Sequence, residues 1–468
     1  MTWDLKKFFN KETETASASK NAGEPIPQFK IIVADFYDNA SSNGAINLAT
    51  ALNNCEGLDV SAYTEDFDHS FLNLESRNIF DLIDTGNTIL QQKQADTIIW
   101  GYRDKGSIRL NFQSPYQYED KGNTFISLMD SFYLPAEFLD GPSAQISADL
   151  LLLLYGAIIS SVNPTEREKQ IYKKYLLKKI SYQLSQIDSL QSLEEIYLPY
   201  VLNLLGVIYL SLAYDSQHGD DFKIINDLFT NALQHQNQIL HPTHLGCIYN
   251  HLGQLYDCAT HYQNRPSSYF RNSIKNYRQA QKYLSKYTYP YDYGYICYKL
   301  SNLYVNYWKQ TEDIQALRDA VFQMREAEKV YTQTLFPSFW AYIQGALGYL
   351  LHNIAHLTKS DELYNLAIDA YQNQQKIITE KKDPLSWGYI QEKIGHIYYL
   401  QGRKNNNISI LEEALSCFHD ALFIYENAQI LPYIKQTKID IEKAHRLLTE
   451  LKEKEQEERE QEEKDYDE

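Results

Sequence analysis

A five-residue pattern that returns about every 47 residues constrains this chain more than any other feature. Leu205, Gly206 and Tyr209 reappear as Leu252, Gly253 and Tyr256, then as Leu300, Ser301 and Tyr304. They return again as Leu347, Gly348 and Leu351, and as Ile394, Gly395 and Tyr398. The small residue steps by 47, 48, 47 and 47 positions. A second pattern begins 19 or 20 residues after it: Ile225/Phe229/Ala232, Ser273/Tyr277/Ala280, Ala320/Met324/Ala327, Ala367/Tyr371/Gln374 and Ala414/Phe418/Ala421. Proline stands 11 residues before the small residue, at Pro242, Pro290, Pro337 and Pro384, and Pro432 continues the series.

Proline suits the first turn of a helix, where its missing N–H costs nothing. The small residue lets a neighbouring helix approach, and the aromatic three positions on lies on the same face. In the second pattern, small-x-x-x-large-x-x-small puts a large side chain on one stripe between small ones. Each repeat therefore reads as two antiparallel helices, A and B. One pair cannot bury its own stripe, so pairs must stack. Glycine (19) and proline (13) are scarce in 468 residues, which also favours long helices with few turns.

These residues resemble the tetratricopeptide (TPR) motif, W-x2-L-G-x2-Y followed by A-x3-F. Five copies cover about Leu193–Asn427. The resemblance implies a mainly α, TPR-like helical solenoid of helix-pair repeats. The period departs from the family's 34 residues. Trp340 and Trp387 stand eight residues before the glycine, about one helical turn earlier than the motif places tryptophan. The extra length implies longer helices or an extended A–B loop. HEAT or armadillo repeats, with periods near 47, are the alternative architecture. Ile146–Ser161 and Thr165–Ile187, with Tyr155-Gly156, read as a degenerate earlier pair. After Pro432 a final helix is expected to cap the array with Ile439, Ile441, Leu447, Leu448 and Leu451, then to run on as an acidic tail.

Residues 29–134 read differently, as a small α/β domain. Phe29–Phe36, Leu58–Tyr63, Ala95–Tyr102 and Ser107–Phe112 have strand character, with helices at Gly44–Asn54 and Ile79–Gln92. A tight turn is expected at Asp104-Lys105-Gly106, and a fifth strand at Thr124–Tyr133. Ile31–Phe36, Leu48 with Leu52, and Ala95–Gly101 before a hairpin ending in Arg109-Leu110 resemble the N-terminal domain of TolB-like proteins. The combination with long repeats is similar to TPR proteins of alphaproteobacteria, which implies a bacterial source. The chain then divides into a disordered segment (1–28), the α/β domain (29–134), the solenoid (143–429), and a capping helix with acidic tail (430–468).

Chemistry-bearing motifs are sparse. No Walker phosphate loop, GxGxxG, HExxH, nucleophile elbow or CxxC occurs. Asp35 and Asp38 follow the first strand and read as loop carboxylates before a helix capped by Ser41, Ser42 or Asn43. Asp66/Asp68 and Asp220/Asp221 lie in polar loops. His241, His244, Cys247 and His251 approach a metal-ligand set. Yet His244 and His251 lie two helical turns apart, roughly 10 Å of rise, too far for one tetrahedral zinc. No cofactor, metal or catalytic residue is expected. The five cysteines, Cys55, Cys247, Cys258, Cys297 and Cys417, are scattered, which fits buried thiols in a reducing cytoplasm.

The formal charge is −17, from 44 Lys and Arg against 61 Asp and Glu. A general nucleic-acid binder needs a basic footprint, so that class is disfavoured. The apolar stretch Leu150–Val162 is too short for a span of about 20 residues, so no integral membrane span is expected. Trp3, Leu5, Phe8 and Phe9 with Lys6 and Lys7 allow weak membrane-surface contact through residues 1–10. The remaining class is a non-catalytic scaffold that binds a peptide or helix of a protein partner through its TPR groove. The alternatives are a regulatory or envelope-assembly adaptor using the α/β domain, and an enzyme with an unrecognised site there. The chain has 39 tyrosines. Those outside the repeat pattern, Tyr291, Tyr293, Tyr295, Tyr298 and Tyr342, are the candidate partner contacts.

Overall fold

A computed structural model describes residues 27–34, 44–63, 79–104, 107–114, 132–135, 148–162, 164, 166–185, 195–216, 222–239, 242–260, 267–287 and 289–467. The expected disorder and membrane contact at the N-terminus, the Asp35/Asp38 loop with its cap, Asp66/Asp68, Asp220/Asp221 and His241 lie outside those residues. The chain separates into two compact units, Met1–Ile296 and Cys297–Glu468.

The first unit opens with β1 (Phe29–Ala34), α1 (Gly44–Leu52), β2 (Leu58–Tyr63), α2 (Ile79–Lys93), β3 (Thr97–Asp104), β4 (Ser107–Gln113) and β5 (Phe132–Pro135). They form one sheet in the order β2-β1-β3-β4-β5. β1 runs parallel to β2 and β3, and β4 runs antiparallel to β3 and β5. Asp104 faces Ser107 across the β3–β4 pair, the register of a hairpin with a two-residue connection. The fifth strand starts at Phe132, later than the expected Thr124, and residues 115–131 lie outside the described set. Pro135 is tolerated there because β5 is an edge strand.

Three helix pairs follow: α3 (Ala148–Ser161) with α4 (Arg167–Ser185), α5 (Leu198–Ser216) with α6 (Phe222–Gln234), and α7 (Pro242–Ala259) with α8 (Ser267–Tyr283). Sheet and helices share one core. Phe29, Ile31 and Val33 of β1 belong to the same buried cluster as Leu48, Leu153, Ile180 and Ile208. The Tyr155 hydroxyl donates to the Glu56 carbonyl at 2.5 Å, Lys179 pairs with the Glu56 carboxylate, and Ser114 donates to the Ser161 carbonyl at 2.6 Å. The stretch Leu150–Val162 is a buried helix. Among the described residues no helix is long and apolar enough to cross a membrane.

Helix α9 (Pro290–Thr311) contains the boundary between the units. The second unit continues with α10 (Ile314–Glu328), α11 (Pro337–Thr358), α12 (Asp361–Gln375), α13 (Pro384–Asn405), α14 (Ile408–Asn427) and α15 (Leu431–Asp467). α12 and α14 each pack on the A helix of their own pair, and α10, α12 and α14 each pack on the next helix in sequence. These are TPR-like helix pairs. α9, α11 and α13 each have 22 residues, and one residue separates the end of α12's cap from α11's last turn, so the long period comes from longer A helices rather than an extended A–B loop.

The A–B contact is a ring lying on a glycine. A Cβ added to Gly206 would meet the Phe229 ring at 2.4 Å, and one on Gly253 the Tyr277 ring at 2.8 Å. On Gly348 it would meet the Tyr371 ring at 2.8 Å, and on Gly395 the Phe418 ring at 2.9 Å. Where Ser301 replaces the glycine, the ring is replaced by Met324, a thinner and more adaptable side chain. The Ser301 hydroxyl then donates to the Ala320 carbonyl at 2.9 Å. A second exchange of volume occurs at Gln374, which stands where other repeats have alanine. It faces Gly345, where an added Cβ would lie 2.6 Å from the Gln374 amide.

The A–B turns repeat as well. Glu312, Lys359 and Asn406 have φ of 56°, 55° and 49°. Each is followed by a capping residue: Asp313, Ser360 and Asn407 accept from the N–H groups of Gln315, Leu363 and Ile410. One left-handed residue and one N-cap thus reverse the chain. The last helix, α15, buries Thr437, Asp440, Ile441, Ala444 and Leu448. Ile439 was expected on that stripe but is 36% exposed. Five residues before Ala444, it lies about 140° round the helix from it.

Two outcomes follow from this packing. Gly395→Ala should lower the unfolding free energy by about 1–2 kcal/mol, the overpacking cost less the gain in helix propensity. Adding Phe418→Met, which imitates the Ser301–Met324 pairing, should recover part of that loss in a urea-denaturation double-mutant cycle. Strictly additive losses would mean that ring and glycine are not coupled. Lys359→Gly should raise stability by roughly 0.5–1 kcal/mol, because glycine carries no Cβ penalty at positive φ. A lower melting temperature would refute strain at that turn.

Candidate partner-binding face

The A helices carry one position, six residues before the small residue, occupied by Tyr200, Cys247, Tyr295, Tyr342 and Tyr389. A second position, one residue after it, holds Val207, Gln254, Asn302, Tyr349 and His396. In the first unit this face is buried except at Tyr295, which is half-buried. Tyr200 and Cys247 are inaccessible, and Asn250 and Gln254 are nearly so. In the second unit Tyr342 is 48% exposed, Tyr389 44% and Tyr349 36%, while Asn302 and His396 are half-buried.

Of the expected tyrosines, Tyr291 is buried and Tyr293, Tyr295 and Tyr298 are half-buried. Tyr298 and Tyr342 come together, with ring centroids 5.7 Å apart and edge to face. Phe339 forms the third corner of the cluster, 5.4 Å from Tyr298 and stacked 5.9 Å from Tyr342. Desolvation and the neighbouring Tyr298 hold the Tyr342 hydroxyl well above the ordinary phenol range.

The tyrosine list missed the continuation of this stripe onto α13. Tyr389 lies 47 residues after Tyr342 and was legible from the period. Desolvation and then Tyr389 raise the Tyr349 pKa, so the stripes of α11 and α13 are neighbours. Lys393 Nζ sits 4.5 Å over the Tyr389 ring, and the Arg403 guanidinium 5.6 Å over the Tyr399 ring.

Beneath this surface lies a polar cluster joining α13, α14 and α15. Buried Glu392 accepts from the Tyr425 hydroxyl at 2.9 Å and from Lys393 Nζ at 3.1 Å. His396 Nε2 stands 3.7 Å from Glu392 and 3.5 Å from Asp440. Lys443 and Gln436 complete Asp440, at 3.2 and 3.0 Å. Burial alone would raise the Glu392 pKa, but hydrogen bonds from His396, Lys393 and Tyr425, with the Lys393 charge, hold it down to about 2. On α11, desolvation and the cations of His396, His356 and Lys393 depress His352 to about 4.

His244, Cys247 and His251 fall in the core of the first unit. His251 Nδ1 lies 2.9 Å from Asn203 Oδ1, and the His244 ring packs on Tyr200 at 4.4 Å. Among the described residues no group of three or more His, Cys, Asp or Glu has the arrangement to hold a metal. The five cysteines are free thiols, with Cys55 and Cys417 half-buried rather than buried. Burial, with Asp420 and Glu413 beside it, pushes the Cys417 thiol up to about 12, which makes it a poor nucleophile.

No protein-family model matches the chain. No curated protein matches it. A solved structure of the APC/C hetero-tetramer Cut9–Hcn1 is similar over 66% of this chain and 64% of its own, at 16% identity and a TM-score of 0.19. The chain thus spans under two thirds of that neighbour's length. The TPR-like description rests on the ring-on-glycine helix pairs themselves.

The two depressed groups set a pH dependence. An ordinary histidine protonates near 6.5, so between pH 6.5 and 4 the unfolded chain binds a proton that folded His352 refuses. Stability is then full above pH 6.5 and falls as pH drops through that window, by about 2–3 kcal/mol. Glu392 adds a second loss between its ordinary 4.5 and about 2, as its carboxylate is protonated. Urea midpoints from pH 7 to 3 should show both steps, and His352→Gln should remove the upper one. A flat profile from 7 to 4 would contradict the desolvation of the half-buried His352 ring.

Proposed function

We propose that the chain is a non-catalytic protein-interaction scaffold that binds a peptide or helix of a partner through the A-helix face of its second unit. One observation carries this reading: Tyr342, Tyr349 and Tyr389 repeat along that face and stay open to solvent, while Tyr200, Val207, Cys247 and Gln254 at the equivalent positions of the first unit are buried. Tyrosine offers a broad, rigid contact area at low entropy cost, with a polar tip for hydrogen bonds. The repeats supply a rigid frame, since each ring-on-glycine contact fixes the spacing of its helix pair. Burial pushes the half-buried thiols of Cys55 and Cys417 up to about 11 and about 12, so neither is an activated nucleophile, which supports a binding rather than a catalytic role.

The finer division of the chain follows the same reading. We take 29–134 as a sheet module, TolB-like by sequence resemblance, 143–429 as the repeat array, and 430–468 as its cap and tail. The shared core of sheet and first helix pairs supports the sheet module as an anchor for the array.

The test is site-specific photo-cross-linking in the source cell. A benzophenone side chain placed at Tyr342 or Tyr389 should capture a defined protein band. The same probe at Phe322 or Phe423, exposed aromatics of the B helices, should not. Capture from the B positions alone would overturn the assignment of the face.

A further inference from the structure

A sheet has two outer edges, and each offers N–H and C=O groups to any extended chain that meets it. In this sheet the edges are β2 and β5. β5 is shielded in two ways: it ends in Pro135, and it lies against α5. β2, with the sequence LDVSAY, has no proline, lysine or arginine. Among the described residues one side chain hydrogen-bonds its outer side. Asn53, just past the end of α1, donates its amide N–H to the Val60 carbonyl at 2.7 Å and accepts from the Val60 N–H at 2.8 Å.

Those are the bonds that a neighbouring strand would make, supplied by a carboxamide, the same donor–acceptor group as a peptide. They also fix the sides of the backbone. In a ladder, alternate residues turn both N–H and C=O the same way. Leu58 and Ala62 therefore face outward with Val60, while Asp59, Ser61 and Tyr63 face β1. The Leu58 N–H turns back to the Cys55 carbonyl at 3.3 Å, so the outward groups of Ala62 lie just beyond the Asn53 amide. The turn that delivers this amide is pinned. The Asn53 N–H donates to the Ala49 carbonyl at 3.0 Å and the Cys55 N–H to the Leu52 carbonyl at 2.9 Å. The Tyr155 hydroxyl holds the Glu56 carbonyl, and the Phe29 N–H holds that of Gly57 at 2.8 Å.

We propose that Asn53 is an autoinhibitory plug, which occupies the outer edge of β2 and keeps it from pairing with the β2 of a second copy of the chain. The edge is complementary to itself. Its outward residues Leu58, Val60 and Ala62 are symmetric about Val60. An antiparallel copy therefore sets Val60 against Val60 and Leu58 against Ala62, in hydrogen-bonded pairs about one two-fold axis. Asp59 then lies opposite Ser61 and not opposite its own copy, so no like charges meet. Asn53 is exposed, so its side chain can leave the edge without opening the core. This contact goes beyond the scaffold reading and uses none of the residues of the A-helix face.

The test uses the full chain, with mass read by sedimentation over a concentration series and amide exchange read residue by residue. Asn53→Ala should move the mass toward twice the wild-type value as concentration rises, with the helical circular dichroism retained, and the Ala62 amide should gain protection in the associated form. Ala62→Pro removes an outward N–H and no bond to β1. Adding it to Asn53→Ala should therefore restore the wild-type mass. In the wild type, the Val60 amide should exchange at least about tenfold more slowly than that of Ala62. An unchanged mass for Asn53→Ala up to about 100 μM overturns the proposal, as does association that survives Ala62→Pro or leaves the Ala62 amide unprotected. Equal exchange at Val60 and Ala62 in the wild type overturns it without any variant, so a failure of Asn53→Ala to fold leaves the proposal open to refutation.

Discussion

Four of the five repeats depend on an aromatic ring resting against a glycine. The B-helix ring of Phe229, Tyr277, Tyr371 or Phe418 occupies the space a Cβ would need on its A-helix partner. That contact sets how closely the two helices approach, and so fixes which A-helix side chains face inward and which remain free. The protein keeps the summed volume rather than the residues. Ser301 pairs with Met324, and Gly345 makes way for Gln374. Interiors are packed to the density of crystals, so a residue added on one side has to be removed on the other.

This is why the repeat architecture was legible in the sequence. The small residue, the ring and the helix-opening proline are each forced by packing or backbone geometry, and they recur in register. The turns were not legible. Glu312, Lys359 and Asn406 share left-handed backbone at a 47-residue spacing, yet glycine appears at none of them. Their conformation is imposed by the helices on either side and leaves no compositional trace. Ile439 misled for a related reason: an apolar residue near a helix end does not announce its angle to the buried stripe, which only Thr437, Asp440 and Ala444 together define.

The candidate face was legible by half. Tyr295, Tyr342 and Tyr389 occupy one repeat position, so the period could have supplied Tyr389 from the other two. Exposure could not be supplied that way. Cys247 and Tyr200 occupy that same position and are fully buried in their unit, whereas Tyr342 and Tyr389 are not. A repeat fixes the angle of a side chain on its helix. What covers that angle belongs to each part of the molecule separately. The surplus of tyrosine is thus divided between rings that hold the pairs together, such as Tyr277 and Tyr371, and rings that face solvent.

Net charge hid the arrangement that matters most for recognition. A value of −17 describes the whole chain and predicts repulsion of any anion. Screening shortens that prediction to about 8–10 Å at ordinary ionic strength, so a ligand responds to the residues it touches. On the A helices of the second unit those residues are cations and rings. The B helices α10, α12 and α14 carry ten acids against two bases, so charge in this unit is divided between helices rather than spread evenly. Segregating charge by helix also sets ion pairs between the helices, as where Lys404 of α13 meets Asp361 of α12 at 2.7 Å.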